Sequence, residues 1–219
     1  MNDRNTLAVK VWGPLACFTR PEMKVERVSY DVMTPSAARG ILEAIFWKPQ
    51  FSWRVQSIEV LEPIRRFSIL RNEVKKVASA DTAFENPFYA DETGPNKPRT
   101  QRNTLALRDV AYIIRACVSL RPSGHDEHPE KYRAQFRRRV GKGQCFHRPC
   151  LGCREFAAHF DEPTGNESPI NLTTDLGRML FDIRYENTTK GRGTSVFFSG
   201  RVRNGVLNVP HELYSQVEA

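Results

Sequence analysis

The sequence predicts an α+β fold in which an antiparallel sheet carries two helices. Extended segments with alternating apolar and polar residues recur along most of the chain, which is typical of half-buried strands. Two other segments have apolar residues at helical spacing. Their order, strand, helix, three strands, helix and strand, is compatible with a ferredoxin-like (RRM-like) sheet.

The first helix has clear start and stop signals. Residues 7–12 predict a strand that ends at Gly13-Pro14. After a second extended piece at 28–32, Thr34 can cap a helix and Pro35 suits its first turn. An apolar stripe continues from there, and Lys48-Pro49 predicts the stop.

The middle of the chain predicts strands interrupted by an insertion. Residues 51–61 and 64–70 have strand patterns. Residues 72–104 are charged and rich in turn formers, and we interpret them as an inserted hairpin or mobile loop. The second half of 105–120 is rich in β-branched residues and predicts a central strand.

The second helix is predicted over 129–140, with Pro129 at its start and Gly141 at its end. Its apolar positions fall on one face: Tyr132, Phe136 and Val140. The following glycine loop has backbone N–H groups that could hold a phosphate. A strand is predicted over 154–159.

The tail predicts a small antiparallel sheet as a second lobe. Strand patterns occur at 180–185, 195–202 and 206–209, and Arg203-Asn204-Gly205 is a hairpin signal. The predicted division is therefore residues 1–165 for the ferredoxin-like domain and 166–219 for the C-terminal lobe.

Composition and charge point to a folded protein that binds a polyanion. The chain has 219 residues, of which 40% are hydrophobic and 26% charged. No stretch reaches the roughly 20 apolar residues of a membrane helix, and strand-like residues follow so soon after Met1 that we expect no signal peptide and a cytoplasmic protein. The 33 Lys and Arg residues against 25 Asp and Glu give a net charge of +8, which attracts nucleic acid.

The five cysteines do not predict a disulfide framework, because their number is odd and the chain has no secretory features. Cys145, His147, Cys150 and Cys153 have a spacing similar to that of metal ligands. All four fall within nine residues, whereas closed zinc sites usually use two separated pairs. We therefore expect buried or half-buried thiols, with no metal and no cofactor.

Four segments resemble a known family. Residues 29–49 and 143–156 are long and specific, and residues 11–19 and 108–112 add weaker matches. Together they resemble the CRISPR-associated family Cas5, subtype d (the Dvulg subtype), of type I-C systems, a RAMP-superfamily group, over essentially the whole chain.

The resemblance implies a metal-independent endoribonuclease. Members of the family bind the CRISPR repeat stem-loop and cut the precursor RNA by attack of a 2′-OH on the adjacent phosphorus. They then stay on the 5′ handle as a subunit of the type I-C surveillance complex. A non-catalytic RNA-binding subunit is the alternative, and a nuclease that also acts on duplex DNA is a third.

The catalytic positions of the family pattern differ in this chain. The family has a Tyr before Trp-Lys-Pro and a Lys-His pair at the start of the second helix. Here the first position is Phe46, and the pair aligns with Lys131-Tyr132. Phe46 has no proton to transfer, and a tyrosine ordinarily titrates near about 10, so it is a poor base.

Three solutions remain open: Tyr132 acts with help from Lys131, His147 supplies the titrating group because histidine suits neutral pH, or the chain cuts by positioning alone. We expect Lys131 and Tyr132 as the catalytic pair, with His147 as a helper. The residues expected to contact RNA surround the two helix ends: Phe46, Trp47, Lys48, Arg137, Arg138, Arg139, Gly141, Lys142, Gly143 and Arg148.

Overall fold

A computed structural model of the chain describes residues 5–74, 99–124, 127–185 and 193–217. The strands within these ranges are β1 (Leu7–Ala16), β2 (Arg27–Val28), β3 (Phe51–Val60), β4 (Arg66–Val74), β5 (Arg99–Leu120), β6 (His159–Asp161), β7 (Thr174–Tyr185), β8 (Gly193–Arg203) and β9 (Val206–Asn208). The helices are α1 (Pro35–Ile45), α2 (Pro129–Val140) and the short α3 (Tyr214–Val217). The predicted α+β class is confirmed, and the longer helices have the predicted positions.

One sheet contains all the strands of the described ranges. Its main path runs β6-β1-β5-β3-β9-β8-β7, and β2 and β4 pair with β5 beside this path. β5 lies between β1 and β3 and is antiparallel to both, so the predicted central strand is confirmed. α1 packs on β3 and β7, while α2 packs on β5 and β1, and the buried core lies between these helices and the sheet.

β1 continues past Gly13-Pro14, so the predicted strand end is wrong. Gly13 pairs with Val110 and Leu15 with Arg108, which leaves Asp109 unpaired opposite Pro14 with a φ of 52°. Because proline has no N–H to donate, this local break in the pairing loses no hydrogen bond from Pro14. Gly13 itself is required by packing, since a Cβ there would lie 2.9 Å from the backbone carbonyl oxygen of Ala157.

The segment before β6 is not the predicted strand over 154–159. It forms turns with a single bridge between Cys150 and Ala157, and the strand begins only at His159. The error has a physical cause. Cys153, Phe156 and Ala158 are buried in the core, and burial of residues in a compact turn can give the same apolar pattern as a strand.

The described ends of the insertion and the described part of the tail are both β-structures that join the main sheet. β4 pairs with the first half of β5 from Arg66–Leu107 to Val74–Arg99, so a hairpin arm is present, and residues 75–98 of the predicted insertion lie outside the described residues. β7, β8 and β9 are antiparallel as predicted. They do not form a separate sheet within the described ranges, because β9 pairs with β3. None of the described helices is long and apolar enough to cross a membrane.

Candidate nucleic-acid interface

The end of α1 is held by the segment that follows α2. The last carbonyls of a helix have no partner within it. Here the Ala44 carbonyl accepts hydrogen bonds from the backbone N–H groups of Phe146 and His147, at 2.8 and 3.1 Å. Residues about 100 positions apart in the sequence are therefore fixed side by side.

Two side chains satisfy the next carbonyls. Arg139 donates from Nη1 to the Ile45 carbonyl at 2.8 Å, and its guanidinium lies 5.2 Å from the centre of the Phe46 ring. The indole N–H of Trp53 donates to the Phe46 carbonyl at 2.8 Å. With all three carbonyls bound, the chain leaves α1 in a fixed direction at Trp47.

These contacts create an exposed surface of aromatic and basic residues. Trp47 is 46% exposed and Phe146 73% exposed, which is unusual for large apolar side chains. Three exposed neighbours, Lys48, Lys142 and Arg148, carry positive charge. We call this surface the basic aromatic patch: Trp47, Lys48, Lys142, Phe146, His147 and Arg148. Exposed rings beside cations suit unpaired bases and phosphates.

The three adjacent arginines have different environments. Arg137 is exposed and forms an ion pair with Glu130 at 2.8 Å. Arg139 is half-buried at the end of α1. Arg138 is exposed, and no ion pair links it to another residue of the described part. Of the three, Arg138 is therefore the most available to a phosphate.

The glycine loop does not form the predicted phosphate cradle. The backbone N–H groups of Gly141, Lys142, Gly143 and Gln144 all donate to carbonyls of the last turn of α2. The helix end consumes these donors because its own carbonyls need partners. The loop can thus contribute the Lys142 side chain to RNA, whereas Gly141 and Gly143 shape the turn.

Phe46 and Tyr132 are in the core, contrary to the expectation that they face RNA. Phe46 is 1% exposed and Tyr132 is 3% exposed. The Tyr132 ring packs 4.9 Å from the Phe51 ring and 6.4 Å from the Phe46 ring. In this arrangement neither ring presents a face to a base.

Lys131 is exposed on the first turn of α2. Its ammonium group pairs with Glu127 at 2.7 Å. This hydrogen bond raises the pKa of Lys131 above its ordinary value, and the negative charge of Glu127 adds to the effect. Lys131 is therefore an ammonium ion at neutral pH, which can stabilise an anion but cannot remove a proton.

The structure does not bring the three expected catalytic residues together. Lys131 lies at the start of α2, and His147 lies beyond its other end. The rise of the helix between Lys131 and Val140 is roughly 14 Å. His147 instead belongs with Trp47 and Lys48. Sequence reasoning missed Phe146 and the anchoring role of Arg139, which depend on contacts between the two helix ends.

The candidate metal ligands of the cysteine segment have different environments. Cys145 is exposed, Cys150 is half-buried and Cys153 is buried, and no disulfide is formed. Cys153 accepts a hydrogen bond from Arg27 at 3.1 Å. A hydrogen bond with Cys17 and the positive charge of Arg27 lower the pKa of Cys153 below its ordinary value. Within the described ranges no three His, Cys, Asp or Glu side chains form a metal-binding group.

Comparison with known proteins shows which family the chain is similar to. The Cas5d family model, described as "CRISPR-associated protein (Cas_Cas5)", matches residues 6–210. The chain belongs to the Cas5d family. The CRISPR pre-crRNA endoribonuclease Cas5d of Thermus thermophilus is 48% identical to it, over 96% of this chain and 94% of that protein.

Other relatives agree with the Cas5d assignment. The CRISPR pre-crRNA endoribonuclease Cas5d of Mannheimia succiniciproducens is 46% identical, over 94% of this chain and 95% of that protein. A crystal structure of a CRISPR-associated protein has the same fold, with a TM-score of 0.68 and 23% identity over 98% of this chain and 95% of that one. This shared fold thus extends over nearly the whole chain.

Proposed function

We propose that this Cas5d chain binds the stem-loop of a CRISPR repeat, cuts the precursor transcript and stays on the 5′ handle as a subunit of a type I-C surveillance complex. The observation that carries the proposal is the pair of hydrogen bonds to the Ala44 carbonyl, which builds the basic aromatic patch. The relatives named as pre-crRNA endoribonucleases support the activity.

We further propose that residues 1–165 are a ferredoxin-like unit that carries the RNA site, with residues 166–219 appended to it. The strand order β6-β1-β5-β3 supports this, because α1 connects β1 to β3 and α2 connects β5 to β6. β9 attaches the C-terminal strands beside β3.

In the proposed reaction the ribose 2′-OH attacks the adjacent phosphorus and the 5′-oxygen leaves. A 2′,3′-cyclic phosphate forms upstream and a free 5′-OH downstream. Such a reaction needs proton transfer and stabilisation of the phosphorane charge. We assign proton transfer to His147, because it is exposed within the patch, and charge stabilisation to the cations Arg138 and Lys142.

Lys131 and Tyr132 then have different roles from the expected catalytic pair. The ammonium ion of Lys131 contributes positive charge near the start of α2. The ring of Tyr132 packs against the ring of Phe46. This contact helps to fix the direction in which the chain leaves α1 at Trp47. Both assignments follow from the ion pair of Lys131 and the burial of Tyr132.

A non-catalytic RNA-binding subunit is the second candidate. The specific observation in its favour is that the two positions where the family carries Tyr and His hold buried Phe46 and Tyr132. Such a subunit would use the same patch to bind the 5′ handle, and would leave cleavage to another component.

The decisive experiment incubates the purified chain with its own repeat RNA in EDTA. The proposed function predicts cleavage that a 2′-deoxy substitution at the cut abolishes, and no cleavage of duplex DNA of the same sequence. His147→Ala should lower the single-turnover rate by about 100-fold and leave repeat binding within about twofold. Tight binding without cleavage by the unmodified chain would instead establish the binding subunit.

A matched control separates the site from a general effect of losing a histidine. His211 is exposed near the C-terminus, beyond β9, and is far along the chain from the patch. His211→Ala should cut at the unmodified rate. Equal rates in His147→Ala and His211→Ala would remove His147 from the mechanism, and Lys131→Ala would then test the cation at the start of α2.

A further inference from the structure

The face of the sheet opposite the helices carries a row of aligned residues. Along β1, Val9 and Val11 are buried in the core, so Lys10 and Trp12 point to the other face. Trp12 pairs with His159 on β6 and with Ala111 on β5. Because residues directly opposite each other share a face, His159, Trp12 and Ala111 form one row across three strands.

Of the rings in the described residues, only that of His159 stacks on the Trp12 indole, and the side of the indole toward Ala111 has no ring on it. The His159 ring is stacked on the indole, with centroids 5.8 Å apart and planes 25° apart. The opposite neighbour in the row is Ala111, which contributes only a methyl group. The ammonium group of Lys10 lies 5.8 Å from the centre of the indole.

The open side is a slot of limited width. The Leu61 backbone N–H donates to the Ala111 carbonyl at 3.0 Å, so the chain at Leu61 is the next neighbour beyond β5. Two strand spacings separate Trp12 from Leu61, roughly 9.5 Å. Stacked aromatic rings have centroids about 4.5–7 Å apart. One flat ring therefore fits above Ala111, between the indole of Trp12 and the chain at Leu61.

A cavity of 620 Å³ occupies this position, and its walls bear charges of both signs. Lys10 and Arg65 are cations beside it, and each has an anionic neighbour: Lys10 lies 3.2 Å from Glu167, and Arg65 lies 3.5 Å from Asp109. Glu62 is exposed at the rim, and no ion pair links it to another residue of the described ranges. Cations suit the phosphates of a strand, while a carboxylate accepts hydrogen bonds from amino groups of a base.

We propose that this slot binds one unpaired RNA base, which stacks on Trp12 above Ala111 and donates an amino group to Glu62. Stacking on an aromatic ring of a sheet face is a general mode of single-strand recognition. The slot lies on the opposite side of the sheet from the basic aromatic patch, so it is a second contact. The inference rests on the proposed function only in taking RNA as the ligand.

The test measures binding of a labelled, unstructured eight-nucleotide RNA to the full chain by fluorescence anisotropy. Trp12→Ala should weaken binding about tenfold or more, because one stacking contact is lost. Ala111→Leu should weaken it similarly by filling the slot without removing a ring or a charge. Trp12→Phe, which keeps an aromatic ring, should retain most of the affinity.

Two further comparisons assign the effect to the base. The nucleotides of the RNA are replaced one at a time by abasic ones. Replacement at a single position should weaken binding to the unmodified chain as much as Trp12→Ala does. The same replacement should leave the affinity of the Trp12→Ala chain unchanged. Glu62→Gln should weaken RNAs with an amino-bearing base at that position more than those with uracil. Equal affinity of the folded Trp12→Ala, Ala111→Leu and unmodified chains would overturn the proposal.

The repeat stem-loop provides a separate readout. It tests the patch on the helix side, so a chain that fails to bind or cut the stem-loop would overturn the proposed function without deciding the slot. If Ala111→Leu changes only the assembly of the chain with protein partners and leaves the eight-nucleotide RNA bound as before, the slot is a protein contact and the proposal is wrong.

Discussion

The ring of Phe46 packs 6.4 Å, centroid to centroid, from the ring of Tyr132, so the two positions at which the family resemblance implies a different residue are in contact. Phe51 completes the contact, with its ring 4.9 Å from that of Tyr132. The two departures are thus neighbours in one buried aromatic cluster. They act on packing together, and under the proposed function the chemistry comes from groups at the surface.

The first prediction separates the hydroxyl of Tyr132 from its ring. Tyr132→Phe keeps the packing and should change the single-turnover cleavage rate by less than about twofold, since the residue is 3% exposed. Tyr132→Ala should lower the free energy of unfolding by about 3 kcal/mol or more, because it leaves a cavity among rings. Urea denaturation and the cleavage assay in EDTA measure the two effects. A 100-fold slower Tyr132→Phe with unchanged stability would make the hydroxyl catalytic.

The helices could be predicted from the sequence because their signals are local. Thr34 caps α1 by accepting a hydrogen bond from the Ala37 N–H at 3.2 Å, and Pro35 follows in the first turn, as the sequence indicates. α2 likewise runs from Pro129 to Val140 as predicted. Each of these features depends on residues within one or two helical turns.

The candidate site could not be predicted to the same extent, because its bonds join distant residues. The sequence indicates that Trp47, Lys48 and Arg148 bind RNA, but not that Phe146 and His147 lie on the Ala44 carbonyl. It also suggests free N–H groups in the glycine loop, whose availability depends on how α2 ends. Tertiary contacts of this kind leave no periodic signal.

The second prediction concerns the charge of the patch. Lys142→Ala should weaken binding of the repeat stem-loop and reduce the slope of log K against log salt by about 0.9, as expected for one lost phosphate contact. Anisotropy titrations at several salt concentrations measure the slope.

Arg203 offers the matched control for Lys142. It is exposed on β8 and pairs with Val206, which lies beside Glu59 near the end of β3. Glu59 lies roughly 26 Å along β3 from Phe51. Phe51 is at the end of β3 that is close to α1 and the patch. Arg203→Ala should leave the salt slope unchanged. Equal losses in the two variants would mean that net charge, not the patch, attracts the RNA.

The third prediction concerns the ion pair that joins α1 to β7. Arg39 donates from Nε and Nη2 to the two carboxylate oxygens of Asp182, each at 2.7 Å, and Asp182 is buried. Asp182→Ala should lower the free energy of unfolding by about 2–4 kcal/mol, since it leaves a half-buried cation without this partner. Urea denaturation measures the loss.

An exposed ion pair on the neighbouring strands gives the control for Asp182. Asp175 pairs with Arg201 at 3.0 Å, and both side chains are more than half exposed. Asp175→Asn keeps an oxygen that can accept the hydrogen bond from the Gly177 N–H, and it should cost less than about 1 kcal/mol because solvent screens the ion pair. If the two variants lose the same stability, the Arg39 bridge does not hold α1 on the sheet.

The last prediction concerns stability in acid. The Glu167 carboxylate accepts hydrogen bonds from the backbone N–H groups of Thr164 and Gly165 and pairs with Lys10 at 3.2 Å. The hydrogen bond from Thr164 is the main cause that lowers the pKa of Glu167 to about 2 from its ordinary 4.5. Between these values the unfolded chain binds a proton at Glu167 that the folded chain does not.

The contribution of Glu167 to stability is therefore complete above pH 4.5 and is lost as the pH falls toward 2. Glu167→Gln should be less stable than the unmodified chain at pH 6, and the difference should shrink as the pH approaches 3, in urea denaturation at each pH. Glu212→Gln, at an exposed position near the C-terminus, is the matched control and should follow the unmodified chain. A Glu167→Gln deficit that stays constant from pH 6 to pH 3 would show that the carboxylate is not stabilised by these donors.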